Sequence, residues 1–214
     1  MKALDRISEN KIIAIVRGQS KENLFKIAEA LYDGGVFCME ITYNASKPET
    51  DRETADTLAA LIEKFGDRMS FGSGTVLNEK QVELTKAAGG EFIISPNVNI
   101  GVIKKTKELG MLSIPGAYSP SECQTAHEAG ADFIKLFPAV NLGVDYLKAI
   151  SAPLSHIKFM IVGGVTAENL VDYINAGAVG VGTGGDLINK EAVKNGDFGK
   201  ITERARQYVE AMKL

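Results

Sequence analysis

Short apolar runs separated by amphipathic stretches set the rhythm of this chain. The runs are Ile12–Val16, Val36–Ile41, Ser70–Val76, Glu91–Ser95, Leu112–Ile114, Phe133–Phe137, Phe159–Val162 and Val179–Val181. Most are continuous rather than alternating, the pattern of parallel strands covered on both faces. The stretches between them carry apolar residues three and four apart, which predicts helices. Lys21–Asp33 places Leu24, Ile27, Ala28 and Leu31 on one face, and Thr50–Phe65 does the same with Ala55, Leu58, Leu61, Ile62 and Phe65. Glu79–Ala88, Ile100–Leu109, Pro120–Ala129, Val144–Ile150, Ala167–Ala176 and Phe198–Met212 complete the set.

The punctuation agrees with this segmentation. Helix ends fall at Gly34-Gly35, Gly89-Gly90, Gly110, Gly130 and Gly177, where glycine accepts a left-handed turn. Ser20, Asn78 and Ser119 stand where N-caps belong, with Pro120 at the first helical position; Thr166 with Asn169 is a weaker start signal. Strict alternation of strand and helix means parallel strands joined by helical crossovers. Eight such pairs in 214 residues predict an α/β fold, a single-domain (β/α)8 barrel over residues 1–214, shorter than the ~250 residues usual for it. The structural rival is an open doubly wound sheet. The barrel is favoured because polar residues and glycines collect at the ends of several runs, as a shared active-site mouth requires.

Bulk properties narrow the function. Apolar residues make up 45% and charged residues 24%, with a net charge of −3 and both signs mixed along the chain. No basic surface is implied for nucleic acid or for an anionic membrane. The first residues, MKALDRISENK, are polar and do not read as a signal peptide. No stretch approaches the roughly 20 apolar residues needed to span a bilayer. Cys38 and Cys123 form no CxxC pair and read as two thiols in a reducing cytoplasm.

Two charges sit inside apolar runs. Lys135 lies between Ile134 and Leu136. Desolvation lowers a lysine pKa and produces a nucleophilic amine; the competing reading is a lysine that snorkels or pairs with a structural carboxylate. Glu40 lies in Phe37–Ile41, on the same side of its strand as Cys38. A carboxylate beside a buried amine makes a proton shuttle, or else a structural Glu40–Lys135 ion pair. The pairs Gly163-Gly164 and Gly184-Gly185, after runs seven and eight, let backbone N–H groups approach a phosphate at a corner where barrels often bind one. Arg17, ending run one, can clamp an anion or make an ordinary surface pair. His127 and His156 lie in a helix and a connection, with no HxH or HExxH spacing, so no metal and no cofactor is expected.

Taken together, IIAIVRG from Ile12, Glu40-Ile41-Thr42, GSGTVL from Gly72, Ile94-Ser95-Pro96, Ile114-Pro115-Gly116, KLFPA from Lys135 and Gly163-Gly164-Val165 resemble the 2-keto-3-deoxy-6-phosphogluconate aldolase family, which includes 4-hydroxy-2-oxoglutarate aldolase activity. The resemblance runs in order from about Ile12 to Leu187. It implies a metal-free barrel, usually a homotrimer, that acts on a small-molecule 2-keto acid. It places the imine-forming lysine on Lys135 and the acid/base glutamate on Glu40. Thr75 falls on the position that helps hold the keto-acid carboxylate, Pro96 and Phe137 on pocket walls, and Gly163 and Gly164 on phosphate-binding backbone.

The chain also departs from the family pattern. Asn44 stands where some members carry an arginine, a contact Arg17 is expected to assume. The usual P-T-G-G-V is Ile161-Val162-Gly163-Gly164-Val165, and the serine of the last phosphate loop is Gly185, beside Asp186. Lost hydroxyl donors and an added carboxylate both weaken a phosphate site. The rival functions are a phosphate-sugar isomerase or epimerase on the same fold, and a non-catalytic small-molecule-binding barrel.

Overall fold

Every expected strand forms, and each runs parallel to its neighbours, in a computed structural model that describes residues 3–213. The strands are β1 (Ile12–Val16), β2 (Cys38–Thr42), β3 (Ser70–Gly74), β4 (Phe92–Ile94), β5 (Leu112–Ile114, continued as Gly116–Ala117), β6 (Ile134–Leu136), β7 (Phe159–Val162) and β8 (Gly180–Thr183). The barrel closes through β5, whose first half pairs with β4 and whose second half pairs with β6. Pro115 divides the two halves because it has no N–H to give the ladder. Its carbonyl still accepts from the Lys135 N–H at 2.9 Å. The open-sheet rival is thereby excluded.

Two packed regions follow from the closure. Outside, the strands bury one face against the helices α2 (Lys21–Asp33), α3 (Asp51–Phe65), α4 (Glu79–Ala87), α5 (Ile100–Glu108), α6 (Pro120–Glu128), α7 (Gly143–Ser151), α8 (Leu170–Asn175) and α10 (Gly199–Ala211). Each Val, Leu, Ile, Phe or Met side chain buried there contributes about 1.5–3 kcal/mol. Inside, Ile13, Cys38, Phe92, Ile94, Ile114, Phe133 and Met160 pack together. They also meet Ala3 and Ile7 of α1 (Ala3–Asn10), which plugs the N-terminal end of the barrel. The polar opening segment carries no strong helix signal in the sequence. The apolar residues of α1 are Ala3, Leu4 and Ile7, of which Leu4 stays exposed, and its third inward residue is an arginine. Arg6 is buried and donates to Ser70 Oγ at 3.2 Å and to the Asp67 carbonyl at 2.8 Å.

Interior glycines explain why β3 and β8 look weakly apolar. A Cβ on Gly72 would strike Phe92, one on Gly74 would strike the Glu40 carboxylate, and one on Gly182 would strike Val162 and Ile15. Bare backbone at these positions makes room for larger side chains from the facing strands.

The expected caps form. Ser20 accepts from the Asn23 N–H, Asn78 from that of Gln81, and Ser119 with Glu122 makes a capping box. Several boundaries shift by one to three residues. β3 stops at Gly74 because Thr75 turns to φ +55°. α8 begins only at Leu170 because the Asn169 side chain folds back first, accepting from the Thr166 N–H and donating to the Gly164 carbonyl. A short α9 (Lys190–Lys194), capped by Asn189, was not anticipated. Among the described residues no helix is long and apolar enough to cross a membrane.

Candidate active site

Parallel strands in a barrel deliver their C-terminal ends to one rim, and this register brings the two unusual charges there together. Glu40 sits level with Ile15 on β1 and Gly72 on β3, and Lys135 level with Gly116 on β5 and Met160 on β7. Both side chains point inward and are buried, with Glu40 2% and Lys135 7% exposed. They line one cavity of about 490 Å³. Every other site residue expected from sequence lines it too: Arg17, Thr75, Pro96, Phe137, Gly163, Gly164, Gly184 and Gly185.

The electrostatics follow from burial. Desolvation pushes the Glu40 carboxyl up to about 7, against the pull of Lys135 and Arg17. Desolvation also drives the Lys135 amine below its ordinary value; Glu40 opposes this and Arg17 adds to it. The two groups feel each other but form no salt bridge, and Glu40 Oε2 has no hydrogen-bond partner in the protein. This is not the geometry of a structural staple, in which ammonium and carboxylate satisfy one another. It leaves an amine able to attack an electrophile and a carboxyl that exchanges protons near neutrality. The Phe137 ring lies 4.5 Å from Lys135 Nζ and shields it from solvent.

Arg17 and Thr75 form the polar flank. The Arg17 guanidinium donates to Thr75 Oγ1 at 3.4 Å. Thr75 holds φ +55°, a conformation costing a β-branched residue on the order of 1–3 kcal/mol. Asn44 lines an adjoining pocket rather than this cavity, and Arg17 borders both. Across the cavity, Gly163 and Gly164 both have positive φ, +94° and +80°. Only glycine repeats that conformation without strain, and it exposes bare backbone to a ligand.

Asp186, the carboxylate beside Gly185, is paired rather than free. Its carboxylate borders the cavity, but Arg204 of α10 takes both oxygens, Nε to Oδ2 at 3.0 Å and Nη2 to Oδ1 at 2.9 Å. Tyr208 donates to Oδ2 at 2.6 Å. Sequence reasoning missed this pairing because its partners lie 18 and 22 residues away. It also missed Gln19 and Lys190, which line the cavity with Thr183 at the end of β8. The Asn189 cap before Lys190 was the one local signal available.

A closed parallel barrel with a desolvated amine and an unpaired carboxyl at its mouth defines an enzyme site of the amine-nucleophile class. Residues 4–204 match the family model for KDPG and KHG aldolase. The chain is 37% identical to the 2-dehydro-3-deoxy-6-phosphogalactonate aldolase of Escherichia coli K12, over 82% of this chain and 83% of that one. It is 31% identical to the 2-dehydro-3-deoxy-phosphogluconate aldolase of Treponema pallidum, over 96% and 93%. It also superposes with a TM-score of 0.84 and 30% identity, covering 94% of this chain and 95% of the other, on the KDPG aldolase of Legionella pneumophila, solved with pyruvate captured at low pH as a covalent carbinolamine intermediate. The chain belongs to the KDPG and KHG aldolase family. It is a class I aldolase, an aldehyde-lyase.

Proposed function

We propose that Lys135 is the imine-forming residue, Glu40 its proton carrier, and a six-carbon phosphorylated 2-keto-3-deoxy acid the substrate. The observation that carries this reading is the single cavity in which a depressed amine and a carboxyl near 7 face a corner of bare glycine backbone. Neutral Lys135 attacks the C2 ketone, and Glu40 supplies the proton with which the carbinolamine hydroxyl leaves as water. The protonated imine then accepts the C3–C4 electron pair while Glu40 takes the C4 hydroxyl proton. Cleavage releases glyceraldehyde 3-phosphate; protonation of the enamine at C3 and hydrolysis release pyruvate. Arg17 and Thr75 are the donors placed for the substrate carboxylate. Pro96 and Phe137 wall the reacting carbons, and the backbone at Gly163, Gly164, Gly184 and Gly185 receives the phosphate.

Of the two C4 epimers, the galacto acid is favoured by the 37% identity to the Escherichia coli phosphogalactonate aldolase. Steady-state kcat/KM on both phosphorylated epimers and on 4-hydroxy-2-oxoglutarate tests this. We expect the phosphorylated galacto acid to be cleaved with the highest value and the unphosphorylated acid with the lowest. A highest value for 4-hydroxy-2-oxoglutarate would remove the phosphate from the account and leave the imine chemistry standing.

A homotrimer completes the proposal, supported by the exposed apolar side chains of Tyr118 and Val140 on the connections that follow β5 and β6. Sedimentation equilibrium is expected to give three times the 22.9 kDa chain mass; a monomer mass would contradict it. The cytoplasmic reading is supported by Cys38 and Cys123, both buried and free.

A further inference from the structure

One guanidinium holds both glycine loops of the corner assigned above to phosphate. Arg204 lies on α10, outside the barrel, and does not line the cavity. One edge of its fork binds Asp186, directly after Gly184-Gly185, at 2.9 and 3.0 Å. The other reaches Glu168, in the turn that follows Gly163-Gly164, at 2.7 and 2.9 Å. Tyr208, one turn further along α10 and fully buried, has its hydroxyl 2.6 Å from Asp186 Oδ2 and 2.9 Å from the Val165 carbonyl, and its single proton goes to the shorter, charged contact. Thr183, the last residue of β8, stands 2.9 Å from the Tyr208 hydroxyl and 3.3 Å from the Val165 carbonyl. Both loops are thus tied to one helix through one charged network.

The network solves an electrostatic problem set by the sequence. A carboxylate bordering an anion site repels its ligand unless its charge is matched and its oxygens are turned elsewhere. Here three donors converge on the two Asp186 oxygens, which makes Asp186 an anchor for its loop instead of a repulsive wall. We propose that Arg204 and Tyr208 are positioning residues for recognition of the substrate's phosphate, acting by neutralising Asp186 and fixing the two glycine loops. This rests on the reading of that corner as the phosphate site. It assigns α10 no part in the imine chemistry.

The test uses the full-length chain with two substrates, the phosphorylated sugar acid and unphosphorylated 4-hydroxy-2-oxoglutarate, and inorganic phosphate as a competitive inhibitor. With Arg204→Met, the KM for the phosphorylated acid and the Ki of inorganic phosphate are expected to rise roughly 10- to 100-fold. The kcat/KM for 4-hydroxy-2-oxoglutarate should stay within about twofold. Adding Asp186→Asn to that variant is expected to recover part of the loss, because the uncompensated charge is then gone while the tie of both loops to α10 stays broken. Tyr208→Phe, which keeps the ring in the core, should shift the same two constants in the same direction by a smaller factor, so the proposal remains testable if Arg204→Met does not fold. Equal losses on both substrates, or no recovery on adding Asp186→Asn, would overturn the proposal and leave a purely structural clasp. If the parent enzyme shows neither preference for the phosphorylated acid nor inhibition by phosphate, the phosphate assignment and this proposal fall together. A phosphate-dependent parent with an indifferent Arg204→Met removes the proposal alone.

Discussion

Lys135→Ala is expected to lower kcat by on the order of 10⁴-fold or more while the barrel stays folded. Under the proposed chemistry no other group replaces this amine, since the electron sink for C3–C4 cleavage is the imine it forms. The remaining lysine bordering the cavity, Lys190, follows β8 and lies on a different wall from β6. Losing the amine also removes a charge that holds the Glu40 carboxyl down, so Glu40 becomes harder to ionise in the variant. Lys135→Met gives the complementary control: it replaces a buried amine with an apolar chain of similar length, and a melting temperature close to the parent's is expected at about pH 6, where Glu40 is held protonated. A variant that melts normally and turns over normally would remove Lys135 from the mechanism. Were the barrel a binding protein with a structural Lys135, Lys135→Met would keep its ligand affinity for pyruvate, whereas covalent capture predicts that it is lost.

Glu40→Gln has the second largest expected effect, and its two readouts move in opposite directions. Turnover should fall by about 10²- to 10⁴-fold, the usual contribution of a positioned acid/base. The kcat/KM profile near pH 7 should lose the contribution of the Glu40 carboxyl and keep that of the Lys135 amine. Stability should rise above neutral pH. The Glu40 pKa is lifted from 4.5 to about 7 in the folded chain, so the folded state holds this proton more tightly than the unfolded state does. Parent stability from this group is therefore intact below pH 4.5, declines as pH rises to about 7, and stays low above that. Glutamine carries no such penalty. Chemical denaturation should find the variant more stable than the parent by on the order of 1–3 kcal/mol at pH 8, and the two alike near pH 4. Equal activity in the two proteins would show that the proton carrier is another group.

The barrel was legible in the chain because its signals are local. Continuous apolar runs, i, i+3 and i, i+4 stripes, caps at Ser20, Asn78 and Ser119, and glycines past helix ends each reflect a backbone requirement. Lys135 and Glu40 stood out for the same reason, as charges flanked by apolar neighbours within single strands. What escaped depends on contacts between distant segments. The plug helix α1 has only Ala3 and Ile7 to bury, so its amphipathy gains meaning only against the barrel floor. Thr75 gave no sign that it would turn to positive φ. Asp186 read as an obstacle to an anion because Arg204 and Tyr208, which claim its oxygens, lie on a helix at the far end of the sequence.

Borohydride trapping in the presence of pyruvate, read by intact mass and peptide mapping, is the most direct test of the imine at Lys135. The expected result is a single reduced pyruvate adduct on the peptide carrying Lys135, still formed by Glu40→Gln and absent from Lys135→Ala. Folded, active enzyme that yields no adduct, or one that carries the adduct on another lysine, would contradict it.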